Sequence, residues 1–126
     1  MHEIALIFGA IYGGLAVILG AFGAHALKNR MDEDLLKSFE TGVKYQMYHA
    51  LVLLFLNHLN YFHAFETKFI ALSTWCFIVG TLLFSFSIYG LCITSMIGNK
   101  WRFLGPLTPI GGSLLVAGWV FLGLSV

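Results

Sequence analysis

The chain has 126 residues, of which 59% are hydrophobic and only 10% charged, with a formal net charge of +1. A soluble domain carries roughly 25% charged residues, so this composition cannot cover a water-facing surface, and the weak charge excludes a nucleic-acid partner. The length sets one domain over residues 1–126, and the mean hydropathy of +0.85 makes the lipid bilayer its solvent.

A bilayer core about 30 Å thick needs roughly 20 apolar residues in a helix. The first run of that length is Ile4–Leu27. Ala24-His25-Ala26 has the small-x-small form of a signal cleavage site, but the segment ahead of the run holds Glu3 and no Lys or Arg. The run is also longer than a signal core, so it reads as a retained span. Gly9, Gly13, Ala16, Gly20 and Gly23 fall three and four apart, on one stripe of this helix.

The next stretch, Lys28–Lys44, is polar. Leu35, Leu36, Phe39 and Val43 recur at helical spacing opposite Asp34, Lys37 and Glu40. This pattern predicts a short amphipathic helix over about 32–44, lying in the membrane interface ahead of span two. Span two is about 45–62 and contains Asn57, His58 and Asn60 toward its end. A tight link, Ala64–Lys68, makes spans two and three antiparallel neighbours.

Span three is about 69–97, longer than the hydrocarbon requires, which tilt accommodates. Ser73, Gly80, Ser87 and Thr94 recur every seven residues, with Cys76 and Gly90 on the same side. Cys76 and Cys92 would stand roughly 24 Å apart on one helix, too far for a disulfide. Ser85, Ser87 and Tyr89 are read as packing or hydroxyl-to-carbonyl contacts. Span four is about 109–124, with Thr108 as N-cap, Pro109 as the first helical residue, and Gly111 and Gly118 as small positions.

Lipid tails are as apolar as leucine, so close backbone packing and interhelical hydrogen bonds must join these helices. The expected fold is all-α: an integral membrane four-helix bundle plus the interfacial helix, packed through Gly9, Gly13, Gly20, Gly23, Gly80, Ser87, Gly111 and Gly118. Leftover small faces leave a homo-oligomer or a membrane-protein partner open. Lys28, Arg30, Lys37, Lys44, Lys100 and Arg102 fall in the first and third connections, and Lys68 alone falls opposite. The positive-inside rule then puts those connections in the cytoplasm and both termini outside. Tyr61, Phe62, Phe65, Trp101 and Phe103 sit near span ends as interface anchors.

Polar groups at membrane depth are the candidate site. His25 ends span one, where the helix dipole favours a cation. Gln46 and His49 share a face near the start of span two, with Tyr45 four residues before His49. By this topology His25 and His49 lie on one side of the membrane, and Glu40, Tyr45, Gln46 and Tyr48 would complete a polar or ligand cluster. Two histidines and one distant carboxylate have no metal-ligand spacing, so neither metal nor cofactor is expected. No catalytic triad, phosphate loop or nucleophile elbow occurs, and "TPIGG" at Thr108–Gly112 lacks the lysine of a phosphate loop.

"GAFGAHAL" at Gly20–Leu27, "YQMYHALVLL" at Tyr45–Leu54 and "GPLTPIGG" at Gly105–Gly112 resemble the YgdD/YwdK-like family, with "FSFSIYGL" at Phe84–Leu91 a looser match. The resemblance runs in order over nearly the whole chain. It implies a small four-span protein of the bacterial inner membrane, of unknown function, and brings no catalytic residues. The leading functional expectation is a structural or interaction bundle rather than an enzyme. The alternatives are a small proton-linked transporter or channel using His25, Gln46 and His49, and an enzyme acting on lipid or quinone.

Overall fold

The structure, a computed structural model, describes residues 2–62 and 67–126. The expected 64–68 link and the anchor Phe65 lie mostly outside those residues. Among the described residues the chain forms four α-helices and no strand: α1 (His2–Phe22), α2 (Glu33–Tyr61), α3 (Thr67–Met96) and α4 (Leu107–Leu124).

α1 is followed without interruption by a π-helical turn, Gly23–Leu27. Its small residues Gly23, Ala24 and Ala26 make room for the wider turn. α2 begins where Asp32 caps it, the carboxylate accepting from the Leu35 N–H at 2.8 Å, with Glu33 and Asp34 in the favourable first turn. It then runs 29 residues to Tyr61. The expected separate interfacial helix over 32–44 is therefore corrected: it and the 45–62 segment are one helix. Lys44 and Tyr45 mark a change in side-chain polarity, which the backbone ladder does not register.

α3 ends in a Schellman motif. Gly98, at φ +84, supplies the left-handed residue. Asn99 N–H reaches back to the Thr94 carbonyl at 2.9 Å, and Gly98 N–H to that of Ser95 at 3.1 Å. A 3-10 turn, Arg102–Leu104, then leads into α4. Thr108 is not the cap expected of it, since α4 starts earlier, at Leu107. Its hydroxyl instead meets that of Ser87 at 2.6 Å. Pro109 is the third residue of α4, where its missing N–H still costs nothing.

Consecutive helices pack antiparallel. The glycines of α1 and of the π turn meet α2: a Cβ on Gly9 would lie 2.9 Å from Leu54, on Gly20 3.4 Å from Val43, and on Gly23 2.9 Å from the Phe39 ring. α2 packs on α3 through Gly42, against Tyr89. The α3–α4 seam is tighter. A Cβ on Gly111 would collide with the Phe84 backbone nitrogen, and one on Gly118 would lie 2.8 Å from the Phe77 ring. Main-chain surfaces meet directly here, which is how helices cohere when hydrocarbon surrounds them.

The helices pack in sequence, α4 on α3, and the backbones of α4 and α1 do not approach one another among the described residues. α2 and α3 are the inner pair. The core over their middle is Leu53, Leu56, Phe77, Ile78 and Leu115, joined by Tyr12 of α1. A second core at the other end gathers Leu27, Met31, Phe39, Tyr89 and Cys92. Among the described residues three helical stretches are long and apolar enough to cross a membrane, Glu3–Leu27, Lys68–Met96 and Arg102–Leu124, rather than the four expected. The helix left out is α2, and its polar residues form the site.

Candidate functional site

The buried residues of α2 are Phe39, Gly42, Gln46, His49, Ala50, Leu53 and Leu56, a single face of the helix. Gln46 is fully buried, and the amide geometry uses both of its ends. Its Nε2 donates to the Tyr12 carbonyl of α1 at 2.7 Å. Its Oε1 accepts from the Tyr89 hydroxyl of α3 at 2.6 Å. Tyr12 in turn donates its hydroxyl to the Ile78 carbonyl of α3 at 2.7 Å. Three helices thus meet in one chain of hydrogen bonds.

The α2–α3 seam carries two more such links. Ser85 donates to the Gly42 carbonyl at 2.8 Å, and the Cys92 thiol to that of Leu35 at 3.4 Å. On the α3–α4 seam Ser73 donates to the Gly118 carbonyl at 2.8 Å. Ser87 donates to the Phe84 carbonyl at 3.0 Å, which leaves Thr108 as donor in the bond between their hydroxyls.

His49 faces α3 and α4. Its Nδ1 lies 2.7 Å from the Tyr45 carbonyl, which can only accept, so Nδ1 carries the hydrogen. Nε2 is then the acceptor, and the Trp119 indole N–H of α4 donates to it at 3.2 Å. The Phe77 ring, with its centroid 5.2 Å away, covers the imidazole. Both nitrogens are thereby engaged with His49 neutral. A proton on Nε2 would set one N–H against another and break the link to α4.

The predicted cluster separates. Gln46 and His49 are buried on one face, and Tyr45 packs edge-on against Phe84 at 5.2 Å and against Tyr48 at 5.8 Å. His25 and Glu40 are exposed. His25 lies on the π turn beside Gly23, which packs on Phe39. Phe39 is ten residues before His49, an axial offset of about 15 Å along α2. The structure therefore does not bring His25 to His49.

Sequence reasoning passed over Tyr12 and Trp119. The signal was present: each is an aromatic with a polar tip inside an apolar run, and such a tip needs a partner when buried. Two buried oxygens have no partner among the described residues, Thr81 Oγ1 and Asn57 Oδ1. No three His, Cys, Asp or Glu side chains are grouped to hold a metal among the described residues.

The chain is similar to a UPF0382 membrane protein of Schizosaccharomyces pombe, 41% identical over 87% of this chain and 90% of the relative. It is 37% identical to the UPF0382 membrane protein YwdK of Bacillus subtilis, over 95% of this chain and 93% of that one. A UPF0382 membrane protein of Staphylococcus haemolyticus is 34% identical over 98% and 94%. No solved structure matches. The model of a family described as a protein of unknown function, DUF423, matches residues 19–112, which include α2 and α3 and the residues of the polar seam except Tyr12, Gly118 and Trp119. The chain is a small membrane protein and belongs to that family.

Proposed function

We propose that this protein is a structural or interaction bundle of the cytoplasmic membrane, in which α2 is a fourth span and the polar seam locks the helices in register. The observation that carries the reading is the occupation of the seam: Gln46 and His49 direct their polar atoms to Tyr12, Tyr89, Tyr45 and Trp119. A transport pathway needs polar groups free to bind and release a cargo, and these are committed to neighbouring helices.

α2 supports the four-span arrangement by its position. At about 1.5 Å per residue its 29 residues extend about 43 Å, nearly the length of α3, and it lies antiparallel between two apolar helices. A helix running the full length between two spans crosses with them. Its low hydropathy comes from the exposed charges of its first half and from Asn57, His58 and Asn60, together with Gln46 and His49, which are buried against protein rather than lipid. Lys28, Arg30, Lys37, Lys44, Lys100 and Arg102 belong to the connections and helix halves at one end of the bundle, which supports a cytoplasmic end there and both termini outside. α1 and α4 carry exposed apolar faces, which suit lipid and a membrane-protein partner or second copy.

The test is reconstitution of the wild type and His49→Ala in liposomes holding a pH-sensitive dye, beside thermal melts of both in detergent. The expected result is no proton flux above empty vesicles and a lower melting temperature for the variant. A wild-type flux that His49→Ala abolishes would refute the structural reading. An alkaline phosphatase fusion at the C-terminus tests topology, with activity expected and its absence refuting an outside terminus.

A further inference from the structure

We propose that the cavity between α2, α3 and the α3–α4 connection is a binding site for the headgroup of an anionic phospholipid. The cavity holds about 440 Å³ and opens to the surface. That volume falls in the range of small-ligand sites, about 300–1,000 Å³. Its floor is apolar, from Leu35, Ile88 and Leu91, and its rim carries Ser38, Ser95 and Lys100.

The rim groups are free to bind. The ion pair found among the described residues is Lys37 with Glu33, so no carboxylate lies within salt-bridge distance of Lys100. Asp32, at the same end of α2, is engaged in capping Leu35. The Ser38 and Ser95 hydroxyls have no partner among the described residues. The backbone around Lys100 is also held in place. The left-handed Gly98 turns the chain back over the end of α3, and the next residue, Trp101, donates its N–H to Thr94 Oγ1 at 3.1 Å.

The chemistry of the lining selects the occupant. A free phosphate would call for several charged donors, whereas one ammonium, two hydroxyls and an apolar floor fit a phosphodiester attached to hydrocarbon. Depth agrees. Trp101 and Phe103 are exposed beside Lys100, their rings stacked at 5.8 Å and 24°, in the manner of aromatic side chains at headgroup level. Basic pockets between membrane helices bind such lipids through this combination of charge and apolar wall.

The experiment is native mass spectrometry of the full chain in detergent, titrated with dioleoyl-phosphatidylglycerol and separately with dioleoyl-phosphatidylcholine. Phosphatidylglycerol should bind about tenfold tighter. Lys100→Ala should erase about tenfold of that affinity, the scale of one charge-assisted hydrogen bond. Ser38→Phe, which fills the cavity from an exposed position, should do the same, while Arg102→Ala should change it less than about threefold. Equal losses for Arg102→Ala and Lys100→Ala would reveal unspecific attraction and overturn the site. So would equal affinity for the two lipids, or unchanged binding in both Lys100→Ala and Ser38→Phe. Displacement of the lipid by millimolar inorganic phosphate would overturn its assignment as a phospholipid site.

Discussion

The bond between Gln46 and Tyr89 can be isolated by a double-mutant cycle. Gln46→Met keeps the length of the side chain and removes both of its hydrogen bonds, to the Tyr12 carbonyl and from the Tyr89 hydroxyl. Interhelical hydrogen bonds in membrane proteins average about 0.6 kcal/mol and reach about 1.7. Full burial of Gln46 puts these two toward the upper part of that range, so the variant should lose about 2 to 3 kcal/mol. Tyr89→Phe removes one of the two and strands the amide oxygen, at a cost of about 1 to 2 kcal/mol. The double variant strands nothing at that bond, so it should fall short of the sum by about 1 kcal/mol. Unfolding free energies in mixed micelles, titrated with denaturing detergent, give all four corners. Additivity within about 0.3 kcal/mol would mean that the two side chains do not share a bond, and the seam as described would fail.

Other seams make their own predictions. Gly111→Ala drives a methyl into the Phe84 backbone, which cannot yield without moving α4, and should cost about 1 to 3 kcal/mol in the same assay. Gly14→Ala is the control, since its Cβ would meet nothing within 4 Å, and it should be neutral or gain up to about 1 kcal/mol. His49→Phe keeps a ring against Phe77 but deprives the Trp119 indole of its acceptor. With Trp75 and Trp101 replaced by Phe, Trp119 emission should move to shorter wavelength, and an unchanged spectrum would deny the bond. Tyr12→Phe loses the link to Ile78 alone and should cost about 1 kcal/mol, leaving the Gln46 bond to the Tyr12 main chain intact.

Apolar length alone made α1, α3 and α4 legible in the sequence, because those helices turn much of their surface to lipid. The start of α2 was also readable in Asp32, Glu33 and Asp34, a cap followed by acids in the first turn. Its continuity was not. The shift from Lys44 to Tyr45 changes which side chains face lipid, but the hydrogen-bond ladder runs straight through it. Lys and Arg group at one end of the helices, which sequence alone can show, whereas depth along a helix depends on register. Register put Gly23 against Phe39 and left His25 exposed, while Gln46 met Tyr12. Short connections make consecutive helices neighbours but say nothing of whether the first meets the last, and α1 and α4 stay apart.

The same register is what α2, with a glutamine and a histidine at its centre, needs if it is the fourth span proposed above. An amide in hydrocarbon without partners costs several kcal/mol, so Gln46 restricts the packing to arrangements in which two other helices offer an acceptor and a donor at its level. Hydrocarbon side chains impose no such condition, since one leucine ridge fits many grooves. Tyr12 and Tyr89 meet the condition from α1 and α3, and the glycines beside them allow the backbones close enough: Gly13 toward Ala50, Gly42 toward Tyr89. His49 extends it to α4 through Trp119, across a gap that the α2 and α4 backbones do not close themselves. The polar residues of α2 therefore act as the register marks of the fold, and the small residues of α1, α3 and α4 act as its spacers.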